Sequence, residues 1–272
     1  MEVLHLQKVA IITGASKGIG LEIATQLQLD GYLVYGTSRN VSDHSQLSLK
    51  LLALEVGSDE SVAELVRQVL DEVGRIDVLI NNAGYDVYGS AEGTSMEELH
   101  AQMDVNFYGA VRMARAVLPT MKRQKSGNII NISSIGGLLS LPFNSAYAAS
   151  KFAMEGYFEA MRYEVRPFGV YVSLVEPQGV KTDTLDSSIQ SIAHEVADHA
   201  DQLSRMITRM RADGKSSGLS PKVVTQTVRR ILSVRQPRLR YPVGGLATFM
   251  PTMKSLMPQK LFERFISSMF MK

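Results

Sequence analysis

Tyr147 and Lys151 stand four residues apart in the run Tyr147-Ala148-Ala149-Ser150-Lys151. On a helix that spacing puts both side chains on one face, about one turn apart. A phenol titrates near about pH 10, too high for useful proton exchange at neutrality. A neighbouring ammonium stabilises the phenolate and brings the pKa down, which makes the pair a candidate general acid/base. Most Tyr-x-x-x-Lys pairs are only structural, so context decides. Ser134 lies thirteen residues before Tyr147, just after the apolar run Asn128–Ile132. A hydroxyl there could hold a substrate oxygen beside the phenol. Asn106 is a polar residue in a helical stretch, at a position that reads as buried; its plain alternative role is a satisfied core amide.

A second constellation precedes these. Thr13-Gly14-Ala15-Ser16-Lys17-Gly18-Ile19-Gly20 falls between the apolar run Val9–Ile12 and a helical stretch around Ile19–Leu29. Glycines at such a junction permit a tight turn and close approach to a pyrophosphate, and the helix N-terminus favours the negative charge. The spacing is G-x-x-x-G-x-G, and no Gly-Lys-Ser/Thr follows, so this is not a Walker loop. An acidic residue at the end of the next strand would bind the ribose 2′-hydroxyl of NAD and repel a 2′-phosphate. Here the chain reads Gly36-Thr37-Ser38-Arg39-Asn40, with no acid until Asp43. Arg39 offers a planar fork for phosphate and Lys17 adds a second positive charge. The expected cofactor is therefore NADP(H) ahead of NAD(H); the plain alternative is two solvated surface charges.

The elements that must position these groups alternate. Apolar runs at Val9–Ile12, Leu33–Gly36, Leu51–Leu54, Val78–Ile80, Asn128–Ile132 and Val170–Val175 are separated by helix-period segments. Ser58 and Asp59 cap a helix to Val73 closed by Gly74, and Ser95 with Glu98 forms a capping box opening a long helix towards Pro119. Ser145–Val165 reads as a helix, and Ser220-Pro221 begins the last clear one. Strand–helix alternation with near-continuous apolar strands predicts an α/β fold, a parallel sheet covered by helices on both faces. No linker, repeat or low-complexity tract divides it, so one domain is the economical reading. The 272 residues carry 29 Lys plus Arg against 27 Asp plus Glu, 45% hydrophobic residues and no cysteine. That excludes bulk nucleic-acid binding, disulfides and thiolate chemistry. No signal peptide or membrane span is visible, so a soluble cytoplasmic protein is expected.

Together these motifs resemble the short-chain dehydrogenase/reductase family of the Tyr-x-x-x-Lys type. Thr13–Gly20, Asn81-Asn82-Ala83-Gly84, Asn106, Ser133-Ser134 and Tyr147–Lys151 follow in family order, from about Lys8 to Thr182 and more loosely to Pro242. Glu155-Gly156 and Glu164–Val170 look closest to the hydroxysteroid and retinol dehydrogenase-like branch. The resemblance implies a Rossmann-type doubly wound sheet of about seven strands. It also implies hydride transfer between a nicotinamide and a carbonyl or alcohol. On that basis Tyr147 is the general acid/base, Lys151 holds the nicotinamide ribose and lowers the phenol pKa, and Ser134 bonds the carbonyl oxygen. Asn106 anchors a water joining Lys151 to a proton relay. Asn82, Ala83 and Gly84 line the adenosine ribose; Gly14, Ser16, Lys17, Gly18, Ile19, Gly20 and Arg39 hold the phosphates. Pro177, Gly179, Val180 and Thr182 surround the nicotinamide carboxamide. Two departures stand out: Glu55, with Val56 beside it, replaces the usual adenine-contacting Asp, and Gln178 replaces a glycine.

Residues 1–242 are expected to form the catalytic domain, with 183–219 covering the substrate, and 243–272 an apolar extension. In that tail Leu261, Phe262, Phe265, Ile266, Met269 and Phe270 repeat at helical spacing. Three readings compete: a lid or oligomer contact, packing on the chain's own core, or a peripheral membrane contact through 259–272. His194 and His199 are five apart, not the four that would share a helical face, so no metal is expected. The partner is a small carbonyl or alcohol substrate of apolar character, and the resemblance suggests a homo-dimer or homo-tetramer. The rival function is a non-catalytic NADP(H)-binding redox sensor, against which the full Asn106, Ser134, Tyr147, Lys151 set argues.

Overall fold

The computed structural model describes residues 7–42, 48–181, 189–192, 196–216 and 218–271. Seven parallel strands form the central sheet: β1 (Val9–Ile12), β2 (Leu33–Ser38), β3 (Leu51–Ala53), β4 (Val78–Asn81), β6 (Gly127–Ile132), β7 (Val170–Pro177) and β9 (Arg240–Val243). Their order is β3-β2-β1-β4-β6-β7-β9. The chain winds outward from β1 through β2 to β3, then returns to place β4 on the other side of β1. That reversal opens a crevice beyond the strand tips, where open α/β sheets place ligands. A small parallel pair, β5 (Asp86–Tyr88) with β8 (Ile189–Ser191), stands beside the main sheet.

Period-two alternation sends neighbouring residues to opposite faces. Ile11, Leu79, Ile129 and Val172 pack with Val66 of α2 (Asp59–Val73), Val117 of α4 (Gly109–Gln124) and Phe158 of α5 (Ser145–Val165). Ile12, Ile80 and Ile130 pack on the other face with Ile23 of α1 (Gly18–Leu29) and Val228 of α7 (Pro221–Ser233). The expected punctuation is present. Ser58 accepts from the Ser61 N–H, Gly74 closes α2 at φ 69°, and Ser95 and Glu98 complete the capping box of α3 (Met96–Met103).

The long helix expected from Ser95 to Pro119 is interrupted. A π-turn, Asp104–Tyr108, separates α3 from α4, and α4 runs through Pro119 to Gln124. Pro119 lies on the exposed side of the helix, where the carbonyl freed by its missing N–H need not be buried. Ser220-Pro221 does not begin the last helix. After β9 come α8 (Gly245–Leu256) and α9 (Gln259–Phe270). The strand β9 escapes a pattern reading because it contains Pro242; it sits at the sheet edge, where a missing N–H is tolerated.

The helices α8 and α9 pack inward. Met250 and Ile266 are buried with Leu139, just beyond the 3-10 turn Ile135–Gly137. Phe270 reaches a second cluster with Tyr88 and with Leu203 and Met206 of α6 (Ala200–Ser216). Of the three readings for the tail, packing on the chain's own core describes this inner face. Leu246, Phe249, Leu256 and Leu261 remain exposed on the outer side. Among the described residues no helix is long and apolar enough to cross a membrane.

Candidate active site

The turn after β1 is stitched to the segment after β4. Asn82 Nδ2 donates to the carbonyls of Thr13 and Gly14, both at 3.0 Å. The N–H groups of Asn82 and Ala83 donate to Thr13 Oγ1 at 2.9 Å. The resulting approach leaves no room for side chains: a Cβ on Gly20 would fall 2.3 Å from the Gly14 oxygen and 2.5 Å from Asn82 Nδ2. Gly14 itself sits at φ 65°, in the left-handed region. Lys17 holds the N-cap position of α1, and an ammonium cannot accept a hydrogen bond. Among the described residues no side chain caps the first-turn N–H groups of Gly18, Ile19 and Gly20, an arrangement suited to a phosphate. Ser16 lies half-buried on the same turn.

Beside it, Arg39, Asn40, Ala53, Leu54, Glu55 and Ser61 line a cleft of about 610 Å³. Arg39 is exposed at its mouth, and among the described residues β2 and the two that follow it carry no carboxylate. Glu55 faces the cleft, its Oε1 accepting from the Gly57 N–H at 3.4 Å. Val56 does not join it; its side chain is buried against Gly109, filling the space a Cβ there would take. The turn and cleft accordingly fit a nicotinamide dinucleotide: a backbone cradle that no Cβ could enter, beside a cleft lined by Arg39, Asn40 and Glu55.

The second cluster lies at the tips of β4, β6 and β7. Ser134 Oγ accepts from the Gly136 N–H at 3.0 Å, which fixes the turn after β6. Gly136 is pressed against the ring of Tyr147, so that a Cβ there would come 3.0 Å from Cε1 and 3.4 Å from Ser134 Oγ. Ser134 and Tyr147 are thus neighbours, as the sequence spacing predicts. Lys151 is buried one turn further along α5, its Nζ donating to the Ile132 carbonyl at 2.9 Å and lying 5.6 Å from the Tyr147 ring centroid. Burial pushes its ammonium down to about 8, against the opposing charges of Asp86 and Glu155.

One expectation fails in this geometry. The Tyr147 phenol stands above its ordinary value, not below it: burial raises it most, the charge of Asp86 raises it further, and hydrogen bonding to Ser134 opposes both. The Asn106 side chain takes the plain alternative, a core amide. Its Oδ1 accepts from the Tyr85 N–H at 3.0 Å, and Nδ2 donates to the Tyr85 carbonyl at 2.9 Å and to Ser150 Oγ at 3.2 Å. Both amide hydrogens are engaged, so the side chain is a satisfied buried amide that ties the π-turn to α5. Pro177 is buried at the end of β7, Gly179 is exposed, and Val180 bridges to Leu219. Gln178 Oε1 accepts from the Leu246 N–H at 2.8 Å and so starts α8. Thr182, His194 and Glu195 lie outside the described residues.

Two features escaped the sequence reading. Asp86, on β5, accepts from Asn144 Nδ2 at 2.7 Å, and burial pushes its carboxyl up to about 7, opposed by Asn144, Tyr88 and Lys151. Behind Lys151, Glu155 and Glu176 are both buried and share Arg240, which donates to Glu155 at 3.1 Å and lies 3.4 Å from Glu176. Burial, then the charge of Glu155, pushes Glu176 up to about 8. Asp86 and Glu176 belong to no local motif; each meets its partners only through the fold.

Residues 8–193 match the family model described as short chain dehydrogenase. A 3-ketodihydrosphingosine reductase from Bacteroides thetaiotaomicron is 38% identical over 258 residues, 94% of this chain and 95% of that one. Retinol dehydrogenase 8 of Bos taurus is 35% identical over 92% of this chain and 86% of its own. Among solved structures, a short-chain dehydrogenase from Streptomyces avermitilis superposes with a TM-score of 0.84 at 31% identity, covering 96% of this chain and 98% of that one. Another from Burkholderia cenocepacia, in complex with NADP, gives 0.76 at 25% identity over 95% and 97%. The stitched glycine turn, the Ser134–Tyr147–Lys151 cluster and these matches agree: the chain belongs to the short-chain dehydrogenase family of oxidoreductases, in its hydroxysteroid and retinol dehydrogenase-like branch.

Proposed function

We propose that the protein is an NADP(H)-dependent oxidoreductase that interconverts a ketone or aldehyde with an alcohol, residues 1–242 carrying the chemistry. The observation that carries this reading is the packing of Ser134, Tyr147 and Lys151 at one point of the strand-tip crevice. The nicotinamide, when bound, supplies or accepts the hydride, and the protein manages the proton. Ser134 orients the substrate oxygen by its hydroxyl. Tyr147 gives that oxygen a proton in reduction and takes it back in oxidation. The Tyr147 phenol, raised by burial, is protonated at neutral pH and so is available as the donor in reduction. Lys151 would hold positive charge against the phenolate left behind and would meet the nicotinamide ribose. Asn106 positions Ser150, whose Oγ also donates to the Tyr147 carbonyl at 2.7 Å, and so sets the turn of α5 that carries both groups.

Gly14, Ser16, Gly18, Ile19 and Gly20 would cradle the pyrophosphate, with Lys17 and Arg39 on the 2′-phosphate. Glu55, the Val56 backbone, Asn82, Ala83 and Gly84 would line the adenosine side, and Pro177, Gly179, Val180 and Thr182 the carboxamide. NADP in the Burkholderia cenocepacia neighbour supports the cofactor assignment. The apolar walls near Leu139 and Tyr88 support a substrate with an extended apolar body, consistent with the names of the relatives. Exposed Tyr108, Tyr157 and Phe168, on and beside α4 and α5, support subunit contact through those helices.

Tyr147→Phe tests the reading. It should retain NADPH binding, read by fluorescence titration, while reduction of a ketone and steroid panel falls about 100-fold or more. Turnover at the wild-type rate would remove the mechanism.

A further inference from the structure

The outer side of α8 and α9 carries apolar side chains that the fold does not bury. Leu256 is 81% exposed, and Leu246, Phe249 and Leu261 are each more than half exposed. Phe249 and Leu256 follow Leu246 at three and ten residues, so the three form one stripe along α8. Leu261 stands in the first turn of α9, across Met257 and Pro258 from Leu256. The two leucines therefore share the corner where the helices meet. At its exposure Leu256 has almost no protein around it, so this corner projects from the surface and does not line a groove. Large apolar side chains gathered in the open in this way mark an interaction site.

The charges beside it are mostly of one sign. On α8 and α9 the cations are Lys254, Lys260 and Arg264, against a single carboxylate, Glu263. Lys254 is engaged inward: its Nζ donates to the Leu138 carbonyl at 3.1 Å and lies over the Phe152 ring. Lys260 and Arg264, one turn apart, are exposed and line a surface hollow of about 870 Å³ with Phe265, Ser267, Ser268 and Met271. Glu263 stands on the same hollow, its Oε1 accepting from Gln259 at 2.7 Å. At the far end of α9 another exposed cation, Arg209 of α6, donates to the Met269 carbonyl and faces the Phe270 ring. Cations and hydroxyls next to exposed hydrocarbon suit phosphate head groups above acyl chains. A second copy of this chain, in a twofold contact, would instead bring like charges together. Each helix has 12 residues and so spans about 18 Å, too short for a hydrocarbon core of about 30 Å, which leaves an orientation along the surface. We propose that α8 and α9 form a peripheral membrane site that inserts Phe249, Leu256 and Leu261 below the head groups of an anionic bilayer and holds its phosphates with Lys260 and Arg264.

The test uses the full-length protein and two sets of extruded vesicles, one of pure phosphatidylcholine and one that also contains phosphatidylserine. Sedimentation should show partitioning to the anionic set about tenfold stronger than to the other, and high salt should weaken it. Leu256→Asp combined with Leu261→Asp should abolish binding to both sets. Lys260→Glu combined with Arg264→Glu should bring the anionic set down to the level of the neutral one. All four side chains are exposed, so NADPH affinity and thermal midpoint should match wild type in each variant. The chain contains no tryptophan, so Phe249→Trp supplies a reporter without background, whose emission should shift to the blue on anionic vesicles. Wild-type protein that stays in the supernatant with both sets overturns the proposal. Undiminished sedimentation of the double aspartate variant, or unshifted emission from sedimented Phe249→Trp protein, overturns it as well. If light scattering finds a dimer that the aspartates dissociate and vesicles do not, the face is a contact between copies and the proposal falls. Vesicle binding is read without turnover, so the oxidoreductase reading stands or falls separately.

Discussion

Around Gly14 and Gly20 the crevice is held by backbone: carbonyls, N–H groups and one asparagine amide fit within distances that leave no space for a methyl group. Beyond Ser134, Leu139, Met206, Met250 and Ile266 belong to buried apolar clusters built from four separate segments. The first surface can accept one shape of ligand, because polar contacts fix both distance and direction. The second accepts volume and hydrophobicity, and methionine adapts its contour at low cost. A common cofactor beside a variable substrate needs that division of labour, with rigidity on one wall and tolerance on the other.

The sharpest way to break the comparison is Gly20→Ala. Its methyl would meet the Gly14 carbonyl and the Asn82 amide head-on. Cofactor binding should be lost and unfolding stability should fall by about 3 kcal/mol, measured by titration and chemical denaturation. Full cofactor affinity in that variant would mean the turn is softer than described. Ile266→Ala probes the other wall. Removing a side chain buried with Leu139 and Met250 should cost about 2 kcal/mol, near the low end for large-to-small changes because the site can collapse. NADPH affinity should stay within about twofold of wild type on the same energy scale. A parallel loss of affinity would show that the two walls are one unit. The smallest effect is expected from Arg39→Asp, which leaves the fold alone and reverses charge at the cleft rim. The ratio of NADPH to NADH affinity should drop about tenfold, and an unchanged ratio would remove the role given to Arg39.

The same contrast explains what could be read in advance. The glycine turn, the Ser95–Glu98 capping box and the Tyr147–Lys151 pair are local: each motif contains its own physical reason, so each appears in the chain as a spacing. Ser134 was placed by the strand it follows. Asp86 and Glu176 carry no such mark, because their partners, Asn144 and Arg240, lie 58 residues downstream of the first and beyond the next strand from the second. The π-turn at Asp104–Tyr108 repeats no hydrophobic period that distinguishes it from the helices it joins. β9 was hidden by Pro242, and α8 by a glycine start and an internal proline, Pro251. The direction of the Tyr147 shift was misjudged for a related reason. The sequence displays the neighbouring ammonium but not the depth of burial, and burial is the larger effect here.

Gln178 stands where the family pattern has glycine, and its amide oxygen seats the first turn of α8 on the loop after β7. From Leu246 the helix leads one turn on to Met250, and Met250 leans on Leu139, five residues past Ser134. The loop after β7 is thereby joined to the terminal helices by the Gln178 amide and by its N–H on the Val243 carbonyl, while Lys254 Nζ donates to the Leu138 carbonyl near the turn after β6. The final stretch of polypeptide, remote in sequence, thus packs its inner face five residues beyond Ser134.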